Sequence, residues 1–145
     1  MAAMHAQLGL TQDQAMRQRR EPIGRLHEAG VRIVNGSDAG VGPAKPHGHA
    51  WQSVVDLVEA GLPVADALAT ATSVAAAACG LGTETGRLAP GHAADLLVVD
   101  GDLANDPPAL GRVRRVVVRG TPLPACDSEY VDQFLVSSDS AGLVG

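Results

Sequence analysis

The sequence has few aromatic residues. Phe, Trp and Tyr together make up 2% of its 145 residues, as Trp51, Tyr130 and Phe134. A hydrophobic core must therefore be built mainly from Ala, Val and Leu. This scarcity also argues against a stacking platform for single-stranded nucleic acid, which needs exposed aromatic rings.

The sequence also has no excess of positive charge, only two cysteines and no long apolar run. The chain has 11 Lys and Arg against 16 Asp and Glu, a net charge of −5, which argues against nucleic acid or an anionic membrane as partner. Cys79 and Cys126 cannot form a disulfide framework, so the cysteine usage predicts a cytoplasmic location. Residues 1–10 lack a signal-peptide pattern, and no apolar run reaches the roughly 18 residues of a membrane span.

What remains is typical of one globular domain that alternates helices with short strands. Hydrophobic residues make up 46% of the chain and charged residues 19%. Helices are predicted over residues 11–30 (in two pieces, broken at Pro22), over 50–60, from Pro63 to about residue 70, and from 72 or 73 to 79. The side chain of Cys79 at the end of the last helix is expected to be buried. Strands are predicted over residues 31–34, 95–100 and 112–119. The basic run over residues 17–20 indicates a solvated helix face, with phosphate binding as the alternative.

Asp38 is the first candidate for a functional residue. It follows the short β-branched segment 31–34, which predicts a buried parallel strand, and it lies between Gly36 and Gly40. Active sites of α/β proteins form at the carboxyl ends of such strands, where a carboxylate binds a metal or acts as a general base. The alternative is a helix cap or turn former, and position alone does not decide.

The second candidate is the pair His47 and His49 in a loop rich in glycine and proline. With Asp38, both histidines would supply three ligands, enough for a catalytic zinc with one open position. Two other interpretations stay open: His47 lines a substrate pocket, or the pair has only a surface role.

Four segments together carry a resemblance to a known family. They are R-L-H-E-A-G-V-R-I-V-N-G-S-D-A-G over residues 25–40, P-H-G over 46–48, G-R-L-A-P-G over 86–91 and A-D-L-L-V-V-D-G-D over 94–102. In this order and spacing they resemble the C-terminal portion of metal-dependent amidohydrolases, in the imidazolonepropionase-like and Xaa-Pro dipeptidase-like branch. The resemblance spans roughly residues 20–123.

The resemblance implies an α/β fold: a C-terminal fragment of a (β/α)8 TIM barrel plus the C-terminal strands of a small composite β-sandwich. Residues 1–86 would be the last strand and C-terminal helices of the barrel. Residues 87–124 would be the sandwich strands, and residues 125–145 a tail. A complete barrel takes about 250 residues, so most of its strands would have to come from elsewhere.

The resemblance also implies a chemistry, the hydrolysis of carbon–nitrogen bonds in small non-peptide or cyclic amides. Asp38 would be both catalytic and a metal ligand: it would take a proton from metal-bound water and return it to the leaving nitrogen. The metal is expected to be Zn²⁺, with one or two ions in the complete enzyme, and His47 would contact substrate. The family's H-x-H pair after the first barrel strand has no counterpart, and His47 and His49 do not take its role.

Two hypotheses follow. In the first, the chain is a C-terminal fragment of an amidohydrolase, inactive alone, whose partner is the missing barrel half or a homo-oligomer. In the second, it is a non-catalytic remnant or an interaction scaffold derived from an amidohydrolase.

Overall fold

The computed structural model describes residues 12–40 and 47–124, so the predicted tail over 125–145 lies outside the described residues. The helices are α1 (Gln12–Glu28), α2 (Ala50–Glu59), α3 (Val64–Ala71), α4 (Ser73–Ala78) and a 3-10 helix (Pro107–Gly111). The strands are β1 (Leu96–Val99), β2 (Val113–Val118) and β3 (Thr121–Pro122). Among the described helices, none has both the length and the apolar character needed to cross a membrane.

Helix α1 runs without a break through Pro22, so the predicted division into two pieces is wrong. Proline removes one backbone hydrogen bond, and the packing of Ile23 against the core holds the helix together across that position. The helix ends as its sequence predicts, at Gly30 with φ +76°. The amide of Val31 donates to the carbonyl of Leu26 at 3.0 Å, and that of Gly30 to the carbonyl of His27 at 2.9 Å, the pattern of a Schellman motif.

The core lies between α1, α2 and α3. Its buried side chains are Val54, Leu57, Leu62 and Ala67, with exposed fractions of 4%, 7%, 3% and 0%. Half-buried apolar side chains surround them: Ile23, Ile33, Val58, Ala60, Leu68 and Leu110. The helix predicted over residues 50–60 thus contributes Val54 and Leu57 to the centre of this core.

Residues 31–34 do not form the predicted buried strand, since within the described residues no neighbouring strand pairs with them. Val31 and Val34 are 47% and 49% exposed, and only Ile33 of this segment packs on the core. A strand needs a neighbour to satisfy its backbone, so the segment stays irregular. The expected burial of Cys79 is also wrong, because its side chain is exposed at the end of α4.

The three strands form an antiparallel sheet in the order β1-β2-β3. Leu97 lies opposite Val116, and a bulge interrupts the register between Val98 and Val99. Arg119 and Gly120, with φ angles of +48° and +79°, connect β2 to β3, as a two-residue hairpin turn with left-handed central residues requires. The described residues thus form a small α/β unit with one three-stranded sheet, and the second sheet of the expected sandwich is not among them.

Trp51 joins the helices to the sheet. A β-carbon built on Gly111 would lie 2.8 Å from Cε2 of the Trp51 ring, so the 3-10 helix rests directly on the indole. Ala109 is fully buried nearby, and Leu110 packs on the helical core. We refer to residues 12–80 as the helical region and to residues 94–122 as the sheet region.

Candidate active site

Asp38 lies in an exposed turn that the helical region holds at one end. Ile33 anchors the preceding segment in the core, and the amide of Asn35 donates to the carbonyl of Thr70 at 3.1 Å. Thr70 is 4% exposed, so this bond ties the segment to a buried part of α3. Three residues later Asp38 adopts a left-handed backbone, φ +49°, with an exposed side chain. Such a conformation is uncommon outside glycine but is tolerated by aspartate.

His47 lies against the same turn. A β-carbon on Gly40 would be 2.7 Å from Nε2 and 2.9 Å from Cε1 of the His47 ring. The imidazole therefore covers the face of Gly40, two residues after Asp38. The structure thus brings His47 to the turn that carries Asp38.

His49 belongs to a different contact. Its ring stacks on Trp51, with ring centroids 6.2 Å apart and an interplanar angle of 28°. Over the described ranges, 12–40 and 47–124, no three His, Cys, Asp or Glu side chains are grouped as a metal site would require. The interpretation of Asp38, His47 and His49 as a self-contained zinc site is therefore wrong, since the stacking on Trp51 keeps His49 with helix α2.

A cleft of about 400 Å³ lies behind the turn, between α1, α2 and the segment 33–36. Arg20 of α1 spans it, with an ion pair to Asp56 at 2.8 Å and another to Glu59. In the part of the chain that the structure describes, the buried atoms Arg20 Nε and Asn35 Nδ2 have no hydrogen-bond partner. The basic run had suggested a solvated face, and nothing in the sequence marked Arg20 as the residue that links α1 to α2.

Comparison with known proteins decides the family. The model of the amidohydrolase family matches residues 1–124. The chain belongs to this family. Curated proteins contain no match to it.

Solved structures agree with this family assignment. An alignment with a Xaa-Pro dipeptidase holding methionine in its active site gives 31% identity and a TM-score of 0.68, over 73% of this chain and 25% of that one. For a proposed prolidase from Bifidobacterium longum, identity is 30% and the TM-score 0.69, over 92% of this chain and 35% of the other. For a prolidase complexed with N-methylphosphonate-L-proline, identity is 34% and the TM-score 0.60, over 72% of this chain and 26% of the other. The amidohydrolase chain described here thus spans between a quarter and about a third of these structures.

Amidohydrolases generally use divalent metals, and a catalytic zinc has three protein ligands. The described residues offer Asp38 on the exposed turn and His47 beside it, but no group of three ligands. These residues do not by themselves fit a complete metal site. A carboxylate at Asp38 suits the role of one ligand among several.

Asp95, in the A-D-L-L-V-V-D segment, has a structural role that sequence reasoning missed. Its carboxylate accepts a hydrogen bond from the backbone N–H of Arg119 at 2.8 Å and another from the Thr85 hydroxyl at 3.1 Å. The bond from Arg119, then that from Thr85, lowers the pKa of Asp95 below its usual value. The carboxylate thereby holds the left-handed turn between β2 and β3. The distance of 24 residues between Asp95 and Arg119 hides this pairing from the sequence.

Proposed function

We propose that this amidohydrolase chain supplies the catalytic carboxylate, Asp38, to a metal-dependent hydrolase that acts on carbon–nitrogen bonds of small non-peptide or cyclic amides. The observation that carries the proposal is the exposed, left-handed Asp38 at the end of a segment anchored by Ile33 and Asn35, in a chain of this family. The cysteine usage favours a cytoplasmic enzyme.

Hydrolysis of the carbon–nitrogen bond requires two proton transfers by the Asp38 carboxylate. It must take a proton from the attacking water, and it must give that proton to the nitrogen that leaves when the carbon–nitrogen bond breaks. An exposed side chain on an anchored turn is suited to both steps, because substrate can reach it while the backbone stays in place. Asp38 would also be the ligand that this chain contributes to a divalent-metal centre, with Zn²⁺ the expected ion.

The chain is proposed to be inactive alone, with the missing barrel half as its partner. Two features support this. The segment before Asp38 exposes Val31 and Val34, apolar side chains that a neighbouring strand would cover. The described residues also contain no group of three metal ligands, and we assign the remaining ligands of the metal centre to the missing barrel half.

A hybrid enzyme tests the proposal directly. In it, this chain replaces the matching quarter of the Xaa-Pro dipeptidase that it resembles. Substitution Asp38→Asn should lower kcat for a Xaa-Pro dipeptide by about 100- to 10,000-fold, the usual contribution of a positioned acid–base group. The matched control is Asp100→Asn, which removes another exposed carboxylate, one that forms an ion pair with Arg114 at 3.8 Å. This control should retain kcat.

A hybrid that keeps its kcat after Asp38→Asn, with an unchanged circular dichroism spectrum, contradicts the proposal. A folded hybrid with no turnover, although zinc binds, favours the alternative of a non-catalytic remnant or interaction scaffold. The isolated chain should show no turnover, and a homo-oligomer that hydrolyses amides on its own would replace the missing barrel half as partner.

A further inference from the structure

The His47 ring lies directly against Gly40. Atoms Nε2 and Cε1 of the ring occupy the space that a β-carbon on residue 40 would need. Gly40 also has a φ of +90°, so the position combines a backbone conformation and a close approach that both favour glycine. The ring and the glycine therefore fit each other as a pair.

The turn that this pair closes is itself unusual. Asp38 and Gly40 both have positive φ, with a half-buried Ala39 between them. A left-handed conformation is uncommon in residues other than glycine, and it persists at Asp38 where the surroundings hold it. Among the described residues, the His47 ring supplies such a contact on the Gly40 side of the turn.

His47 is close in sequence to the contact between the helical region and the sheet region. Two residues later, His49 stacks on Trp51 at the start of α2, and the Trp51 ring packs against Gly111 of the sheet region. The contacts thus run from the 3-10 helix through Trp51 to His49, two residues after His47.

We infer that His47 is a positioning residue for Asp38: its imidazole packs on Gly40 and fixes the turn that presents the carboxylate. This inference rests on the proposed function, in which Asp38 is catalytic. It differs from a substrate contact by His47, because packing needs a flat ring at this position and no particular nitrogen atom.

Nuclear magnetic resonance on the full chain tests the contact without any activity. His47→Ala should remove the ring-current shift of the Gly40 α-protons and change the amide–α-proton coupling of Asp38, which reports its φ. His47→Phe, which keeps a flat ring, should retain both signals. Unchanged signals in the His47→Ala variant would overturn the inference.

Glycine substitutions supply a second test with a matched control. Gly40→Ala and Gly91→Ala impose comparable backbone strain, because their φ angles are +90° and +84°, but only at Gly40 would the new methyl meet a ring. Gly40→Ala should shift the amide resonance of Asp38, and Gly91→Ala should not. In the His47→Ala background the shift caused by Gly40→Ala should shrink, since the collision is removed. A shift of the same size in both backgrounds contradicts the contact.

Kinetics of the hybrid enzyme then separate positioning from substrate contact. His47→Ala should lower kcat by about 10- to 100-fold with little change in KM, because misplacement of a catalytic group by about 1 Å has effects of that order. His47→Phe should restore most of kcat. A rise in KM in both variants at constant kcat would assign His47 to substrate and end the positioning role. If Asp38→Asn keeps activity while the resonance results hold, the proposed function fails and the packing contact stands.

Discussion

The helical region and the sheet region satisfy their backbones differently. In the sheet region, β1, β2 and β3 pair with one another, and the carboxylate of Asp95 caps the hairpin turn at Arg119. In the helical region, the segment over residues 31–34 has no strand beside it among the described residues and exposes two valines. The sheet region is therefore stabilised by contacts within itself, whereas the part that carries Asp38 is open on one side.

This difference shows which part of the molecule needs contacts from further polypeptide. Catalytic groups at strand ends need several strands side by side, because each strand contributes few ligands. Supporting elements such as the β2–β3 hairpin need only a local partner. The candidate catalytic turn is thus the part of the molecule that gains most from another chain segment.

The largest expected effect on the stability of the isolated chain comes from the core of the helical region. Leu57→Ala should lower the free energy of unfolding by about 2–5 kcal/mol, because the side chain is 7% exposed and its loss leaves a cavity. Urea unfolding followed by circular dichroism measures this. Leu88→Ala is the control in the segment before the sheet: with 76% exposure, it should stay within about 0.5 kcal/mol of the parent chain. Equal losses would mean that burial of Leu57 in the helical core does not determine the stability of the chain.

A smaller effect is expected at the junction of the two regions. Gly111→Ala places a methyl group 2.8 Å from the Trp51 ring and should cost about 1–3 kcal/mol through overpacking. Gly36→Ala is matched to it, since a β-carbon there meets nothing within 4 Å and no positive φ opposes it. Thermal unfolding of both variants compares them. A Gly111→Ala variant as stable as Gly36→Ala would show that the sheet region is not held by Trp51.

The smallest effect is a pH dependence within the sheet region. The pKa of Asp95 is lower in the folded chain than in the unfolded one, so its stabilising contribution is present above about pH 4 and is lost as the pH falls through the folded-state value. Asp95→Asn should therefore be less stable than the parent at pH 7, and the difference should shrink towards pH 3. Melting temperatures at both pH values measure it. A difference that is constant with pH would mean that the charge of Asp95 does not contribute.

Much of the helical fold could be predicted from the sequence because it is local. The helix over residues 50–60 and the end of the first helix at Gly30 depend on residues within one or two turns, and both predictions are confirmed. Continuity of α1 across Pro22 could not be predicted, because it depends on the packing of Ile23 against residues more than 30 positions away. The strand at residues 31–34 was predicted from its β-branched composition, but composition cannot supply a neighbour.

The candidate site divides in the same way. Asp38 could be found because glycines and a short apolar segment mark its turn, and the family assignment agrees with the motif that contains it. The seat of His47 on Gly40 and the bond from Arg119 to Asp95 could not be found, since each joins residues whose distance in space is set by the fold. The roles of Asp38 and His47 remain predictions.

The place of Trp51 has a practical consequence. It is the one tryptophan of the chain, and its indole lies between α2 and the 3-10 helix, next to the stacked His49 ring. Its fluorescence therefore reports a single location, the contact between the helical region and the sheet region. If the emission shifts to longer wavelength before helix content is lost, the helical region and the sheet region separate as a distinct first step of unfolding.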